Sequence, residues 1–191
     1  MKICVYGAAS NEIDRSFLYA GEMLGREMGK RNHTLVFGGG ASGLMGAAAR
    51  GIKEENGYII GIAPSFFNVD GILYENCDEF HYTDTMRERK KMMEEESDAF
   101  IVTPGGIGTF EEFLEILTLK SLDRHNKPIA ILNTNGYYDN LLKFLEDGVK
   151  LNFLKQGNLD LYFVSDNVCE ILDHIENYSD NSSHIDKTRF K

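Results

Sequence analysis

The sequence has no excess of positive charge: 20 Lys and Arg stand against 30 Asp and Glu, a formal charge of −10 over 191 residues. General affinity for nucleic acid or for an anionic membrane needs a basic footprint, so neither is expected as a partner. Cysteine is scarce. Cys4, Cys77 and Cys169 lie far apart without a C-x-x-C pair, which argues against a disulfide framework or zinc ribbon and for a reducing compartment. No apolar run approaches the length of a membrane span, and MKICVYGAAS is too short and wrongly flanked for a signal peptide. A cytoplasmic protein is the expectation. His33, His81, His125, His174 and His184 show no metal-ligand spacing, and neither a Ser–His–Asp order nor a reactive-cysteine motif can be traced. The residues therefore call for no metal and no cofactor.

What remains is an ordinary globular composition, 42% apolar and 26% charged, at a length suited to one domain. That domain is expected over residues 1–178, followed by a polar tail over 179–191. Continuous apolar runs of strand length occur at 3–7, 34–38, 58–63, 99–103, 128–133 and 161–165. Runs that do not alternate suit strands buried on both faces. Helical spacing fills 12–30, 43–55, 85–96, 108–122, 137–150 and 166–175. Strand and helix in alternation predict an α/β fold, a doubly wound parallel sheet flanked by helices. A short extra strand is read at 79–82. Residues 64–77 lack periodicity and read as a flap. Ligands of such sheets sit at the carboxyl ends of the strands, so the turns after residues 7, 38, 63 and 103 are the places to look.

Two of those turns are rich in glycine. Gly38, Gly40 and Gly43 satisfy G-x-G-x-x-G, but the next strand ends IGIAP with no acid for a ribose, and no Gly-Lys-Ser/Thr follows. A nicotinamide site is disfavoured and a P-loop excluded; close helix–sheet packing and ligand contact stay open for this turn. The second, TPGGIGTFEE over 103–112, places three glycines ahead of a helix whose first amides are free to receive phosphate. Thr109 is placed to cap that helix or touch an oxyanion. Glu111 and Glu112 point about 100° apart. One is expected near the ligand and one in water, and Glu112, four residues before Ile116, is the one expected inside. In Met86-Arg-Glu-Arg-Lys-Lys-Met-Met93, positions 89 and 90 share a stripe with Met86 and Met93, so Arg89 and Lys90 are expected to face inward and need an anion. Arg87 and Lys91 read as solvated.

Gly38–Gly46, Arg89-Lys90 and Pro104-Gly-Gly-Ile-Gly-Thr-Phe-Glu-Glu112 together resemble the LOG ("lonely guy") family, and the likeness runs from about Ile3 to Leu172, taking in Ser97–Ile101 and Asn135-Gly-Tyr-Tyr138. The family motif P-G-G-x-G-T-x-x-E is met in full by 104–112. The resemblance implies a Rossmann-like fold and cytokinin riboside 5′-monophosphate phosphoribohydrolase activity, with Arg89 and Glu112 catalytic. It implies nucleotide contacts at Lys90, Gly105, Gly106, Ile107, Gly108, Thr109 and Thr118, and a homodimer. Two positions depart from the pattern. Arg87 stands where M-H-x-R-K has histidine, and Gly71, beside Asp70, stands where an acid is expected in the flap; both departures fall on base or ribose recognition. The family's older label of lysine decarboxylase finds no Schiff-base lysine with a ring-nitrogen partner here. A broad AMP nucleosidase and a nucleotide carrier without turnover are the rival readings.

Overall fold

The computed structural model describes residues 1–179; the polar stretch from 180 onward, most of the expected tail, lies outside the described residues. Seven parallel strands form one sheet in the order β4-β3-β2-β1-β5-β6-β7. They are β1 (Lys2–Tyr6), β2 (Thr34–Phe37), β3 (Tyr58–Pro64), β4 (Glu79–Thr83), β5 (Ala99–Val102), β6 (Ile129–Leu132) and β7 (Phe163–Ser165). The helices are α1 (Arg15–Lys30), α2 (Gly43–Glu54), α3 (Met86–Glu96), α4 (Ile107–Ser121), α5 (Asp139–Lys150) and α6 (Val168–Glu176). The expected Rossmann-like architecture is the one observed, and the extra strand is real: it is the edge strand β4.

The unbroken apolar runs are buried on both faces because each central strand feeds two cores. Ile3, Val5, Leu35, Phe37 and Ile101 point toward α1, α2 and α6, packing with Leu24, Ile52 and Leu172. Their neighbours Cys4, Tyr6, Val36, Phe100 and Val102 point to the other side, against Met93 of α3 and Phe113 and Ile116 of α4. Alternate residues of a strand face opposite sides of the sheet, so an apolar run becomes two half-cores.

Helix starts differ from the sequence pattern by a few residues, each for a local reason. α1 begins at Arg15 because Asp14 caps it, accepting from the Ser16 amide at 2.9 Å. α3 begins at Met86 on a capping box between Thr85 and Glu88. α5 begins at Asp139, because Asn135 (φ 55°) and Gly136 (φ 68°) break the backbone before it.

The strand order reverses between β1 and β5, which lie side by side with Cys4 opposite Phe100. The turns leaving β1 and β5 therefore open into the crevice that such a reversal creates.

Candidate active site

A cleft of about 560 Å³ occupies this crevice. Its floor is made by three turns: Gly7–Ala9 after β1, Gly38–Ser42 after β2, and the start of α4. The flap forms the opposite wall through Phe67, Ile72 and Leu73. It is clamped to the first glycine turn: Tyr74 donates its amide to the Gly39 carbonyl (2.8 Å), and Ala41 donates to Ile72 (2.9 Å). The 64–77 segment is thus fastened at residues 72–74 by a short antiparallel bridge.

The turn after β5 has a distinctive hydrogen-bond pattern. Its three carbonyls are held from inside: Thr103 accepts from the Tyr138 hydroxyl (2.8 Å), Pro104 from the Ala8 amide (3.0 Å) and Gly105 from the Tyr137 hydroxyl (2.6 Å). No peptide here is cis, and in a trans peptide the N–H points opposite its C=O. With those carbonyls held, the Gly105 and Gly106 amides point away from the groups that hold them; Gly105 is buried, and Gly106 is exposed and lines the cleft. Ile107, Gly108 and Thr109 then open α4, where amides have no intrahelical acceptor. Among the described residues no hydrogen bond engages any of the five amides from Gly105 to Thr109. The helix begins at Ile107, with Gly106 as its N-cap and no side chain capping it. Thr109 is therefore not a cap; it is buried in the first turn, beside Gly105. Ile107 is 86% exposed, and its side chain does not line the cleft.

Arg89 and Glu112 meet on the same cleft wall. The Arg89 guanidinium lies 3.1 Å from Glu112 Oε1, and both side chains are buried. Burial pushes the Glu112 carboxyl up to about 7, outweighing the guanidinium, which pulls it down. The group therefore titrates near neutrality while lining the cleft. Arg89 Nε is buried with no partner, so part of this cation's hydrogen-bonding capacity is uncommitted. Gly38 explains why the arginine fits. A Cβ there would sit 2.1 Å from Arg89 Nη2.

The other expected site residues are placed differently. Lys90 faces α4, where it pairs with Glu111 and, at 2.8 Å, with Glu115. Burial lowers its pKa, but the two carboxylates raise it more, leaving it above the ordinary lysine value. Glu111 is thus the outward acid and Glu112 the inward one. Thr118 is exposed and bonds the Leu114 carbonyl at 2.6 Å. It lies eleven residues beyond Ile107, about 16 Å along the helix, out of reach of this cleft. Arg87 and Lys91 are exposed, and Gly71 lines the cleft with nothing within 4 Å of where its Cβ would be.

Other titratable groups have structural partners. His125 donates from Nε2 to the Ile116 carbonyl (2.9 Å) and accepts from the Lys127 amide at Nδ1 (3.2 Å). His33 meets Glu176 at 2.8 Å. Among the described residues no group of three or more His, Cys, Asp or Glu could hold a metal ion, and no helix is long and apolar enough to cross a membrane.

Sequence reasoning did not assign the two tyrosines, the seat at Gly38, or the apolar wall of Met45, Phe67, Ile72, Leu73 and Met86. A tyrosine that holds a backbone carbonyl leaves no spacing signature. The wall comes from three segments that only the fold brings together.

Residues 45–175 match the family described as "Possible lysine decarboxylase". The chain is 36% identical over 170 residues to the probable cytokinin riboside 5′-monophosphate phosphoribohydrolase LOG4 of Oryza sativa subsp. japonica, covering 89% of this chain and 74% of that protein. It is 35% identical over 178 residues to the cytokinin riboside 5′-monophosphate phosphoribohydrolase LOG3 of Arabidopsis thaliana, covering 93% and 83%. In fold it is similar to the Moco carrier protein of Chlamydomonas reinhardtii, with a TM-score of 0.67 at 23% identity over 92% of this chain and 94% of that one. That last likeness concerns architecture alone.

Proposed function

The chain belongs to the LOG family, and on that premise we propose that it hydrolyses the N-glycosidic bond of adenosine 5′-monophosphates, N6-substituted ones foremost, releasing free base and ribose 5-phosphate. The observation that carries this reading is the row of five unengaged amides, Gly105 to Thr109, ending one turn from a buried carboxylate. An anion suits the amides and the positive end of α4. A carboxylate beside them suits a ligand whose sugar turns cationic as its base leaves.

In this mechanism the turn grips the 5′-phosphate and so fixes the ribose. The bond from the anomeric carbon to the base nitrogen breaks with its electron pair leaving on the base, a water oxygen bonds to the carbon in its place, and the proton that water loses ends on the departed base. Ionised Glu112 stabilises the oxocarbenium-like centre or orients that water. Arg89, close enough to hold Glu112 in place, has donors left for the phosphate or the departing base. The base lies against the wall of Met45, Phe67, Ile72, Leu73 and Met86, which favours apolar substituents. Gly71 leaves room there.

Decarboxylation of lysine has no such support. Among the described residues no lysine lines the cleft to form a Schiff base, and Lys90 on the neighbouring helix is held by two carboxylates.

A homodimer is part of the reading, because Thr118 can meet a nucleotide only in another copy's cleft. α4 turns Thr118 and Leu114, four residues apart and both exposed, to one outer face. A monomer in light scattering would contradict it.

The test is incubation with AMP and with isopentenyladenosine monophosphate, followed by chromatography for free base and ribose 5-phosphate. Base from the prenylated nucleotide alone supports the N6-substituted class. Base from both indicates a broad nucleosidase, and base from neither rejects hydrolysis. Glu112→Gln is expected to lower kcat by about 10³-fold while AMP still binds. Activity that needs ionised Glu112 rises with pH, so kcat/KM should fall below about 7, by about tenfold per pH unit. A flat profile would remove Glu112 from the chemistry.

A further inference from the structure

Two peptide units in the turn after β5 carry an amide that no hydrogen bond engages among the described residues, and they are held by different means. The Pro104–Gly105 unit is fixed by main chain, its carbonyl accepting from Ala8. The Gly105–Gly106 unit is fixed by a side chain, the Tyr137 hydroxyl, at 2.6 Å. We propose that Tyr137 is a positioning residue of the phosphate site: its hydroxyl sets the orientation of the Gly105–Gly106 peptide and so aims the Gly106 amide at the anion. This inference rests on the phosphate reading above.

The peptide needs such a restraint because it lies between two glycines. Rotating it changes ψ of Gly105 and φ of Gly106, the torsions that glycine leaves least hindered. Nothing lies within 4 Å of a Cβ built on Gly106, so no neighbouring side chain wedges that residue in place. A flip would exchange the Gly106 N–H for the Gly105 C=O, replacing a donor by an acceptor in front of an anion. The Tyr137 hydroxyl holds that carbonyl on the far side.

Tyr137 is itself well fixed. Its ring meets Phe17 edge-on at 5.9 Å and Tyr138 at 5.0 Å. The turn that presents it is pinned where Asn135 donates to Ser16 Oγ at 2.8 Å.

Tyr138 supplies an internal contrast. Its hydroxyl holds the Thr103 carbonyl, but that peptide ends in proline and carries no N–H to aim. Tyr138 is also 1% exposed against 42% for Tyr137. Removing its hydroxyl leaves a buried carbonyl unpaired, a loss of stability rather than of anion recognition.

The experiment is calorimetric titration of ribose 5-phosphate into the wild-type protein, Tyr137→Phe and Tyr138→Phe, with Tm and AMP kinetics measured on each. For Tyr137→Phe the expected result is about tenfold weaker ribose 5-phosphate binding, the size of one lost hydrogen bond. KM for AMP should rise more than kcat falls, with Tm nearly unchanged. Tyr138→Phe should reverse the pattern, with a lower Tm and Kd within about twofold of wild type. Equal Kd for wild type and Tyr137→Phe overturns the positioning role and leaves the phosphate reading standing. Loss of Tm and affinity together in Tyr137→Phe also overturns it, since that is general loosening. Wild-type protein that does not bind ribose 5-phosphate overturns the phosphate reading itself.

Discussion

Helices α2 and α4 both start on a glycine turn at the carboxyl edge of the sheet, and both reach the same cleft. At α2 the protein occupies the leading amides: Gly43 donates to Asn11 Oδ1 at 2.8 Å and Met45 to the Ala8 carbonyl at 3.3 Å. At α4 nothing does. The missing side chains differ in the same way. A Cβ on Gly38, Gly43 or Gly46 would lie 2.0–2.2 Å from atoms of the protein, whereas around Gly106 and Gly108 there is nothing within 4 Å. Glycine is thus spent on packing at Gly38, Gly43 and Gly46, and also at Gly105, where a Cβ would lie 2.1 Å from Thr109 Oγ1; at Gly106 and Gly108 it is spent on open space. A glycine-rich loop says only that something approaches the backbone; whether that is protein or ligand depends on what stands opposite.

The comparison breaks most severely at Gly43. Its φ is +64°, and a Cβ would meet the Ala8 carbonyl at 2.2 Å. Gly43→Ala should destabilise by about 3 kcal/mol or more, combining backbone strain with a steric clash. For a domain of this size that lowers Tm by roughly 10 °C. A Tm within a degree or two of wild type would mean the first turn is looser than described. Next comes Gly38→Ala, which pushes the guanidinium away from Glu112. A fall in kcat of about 10²-fold is expected, in line with misplacing a catalytic group by an ångström. Unchanged kcat would detach Arg89 from the chemistry. Smaller still is Gly108→Ala, which intrudes only on the cleft. Ribose 5-phosphate should bind about tenfold more weakly, while Tm holds or rises slightly, since alanine suits a helix better than glycine. If Tm fell and affinity held, the two turns would have exchanged roles.

Much of this was legible in the sequence. Buried parallel strands leave long apolar runs, so six of the seven were plain; β4, at the edge with Tyr82 half exposed, left a fainter trace. Glu112 and Arg89 could be assigned inward because helical spacing couples them to Ile116 and Met93, which the core takes up. The same stripe turned Lys90 inward and in need of an anion, which the protein itself supplies. A stripe carries no information on which neighbouring helix it meets, and Lys90 meets the carboxylates of α4. Gly38 was ambiguous for a related reason: its partner, the Arg89 guanidinium, arrives from 51 residues away. Thr109 looked like a cap because caps are read from residue type, yet the helix begins two residues earlier, at Ile107, with Gly106 as its N-cap.

The most direct measurement is an amide chemical-shift titration of the 15N-labelled protein with ribose 5-phosphate. The account predicts saturable shifts at Gly105, Gly106, Gly108 and Thr109, with Gly39 and Gly43 nearly silent. Shifts concentrated at Gly39 and Gly43, with the α4 turn unmoved, would contradict it.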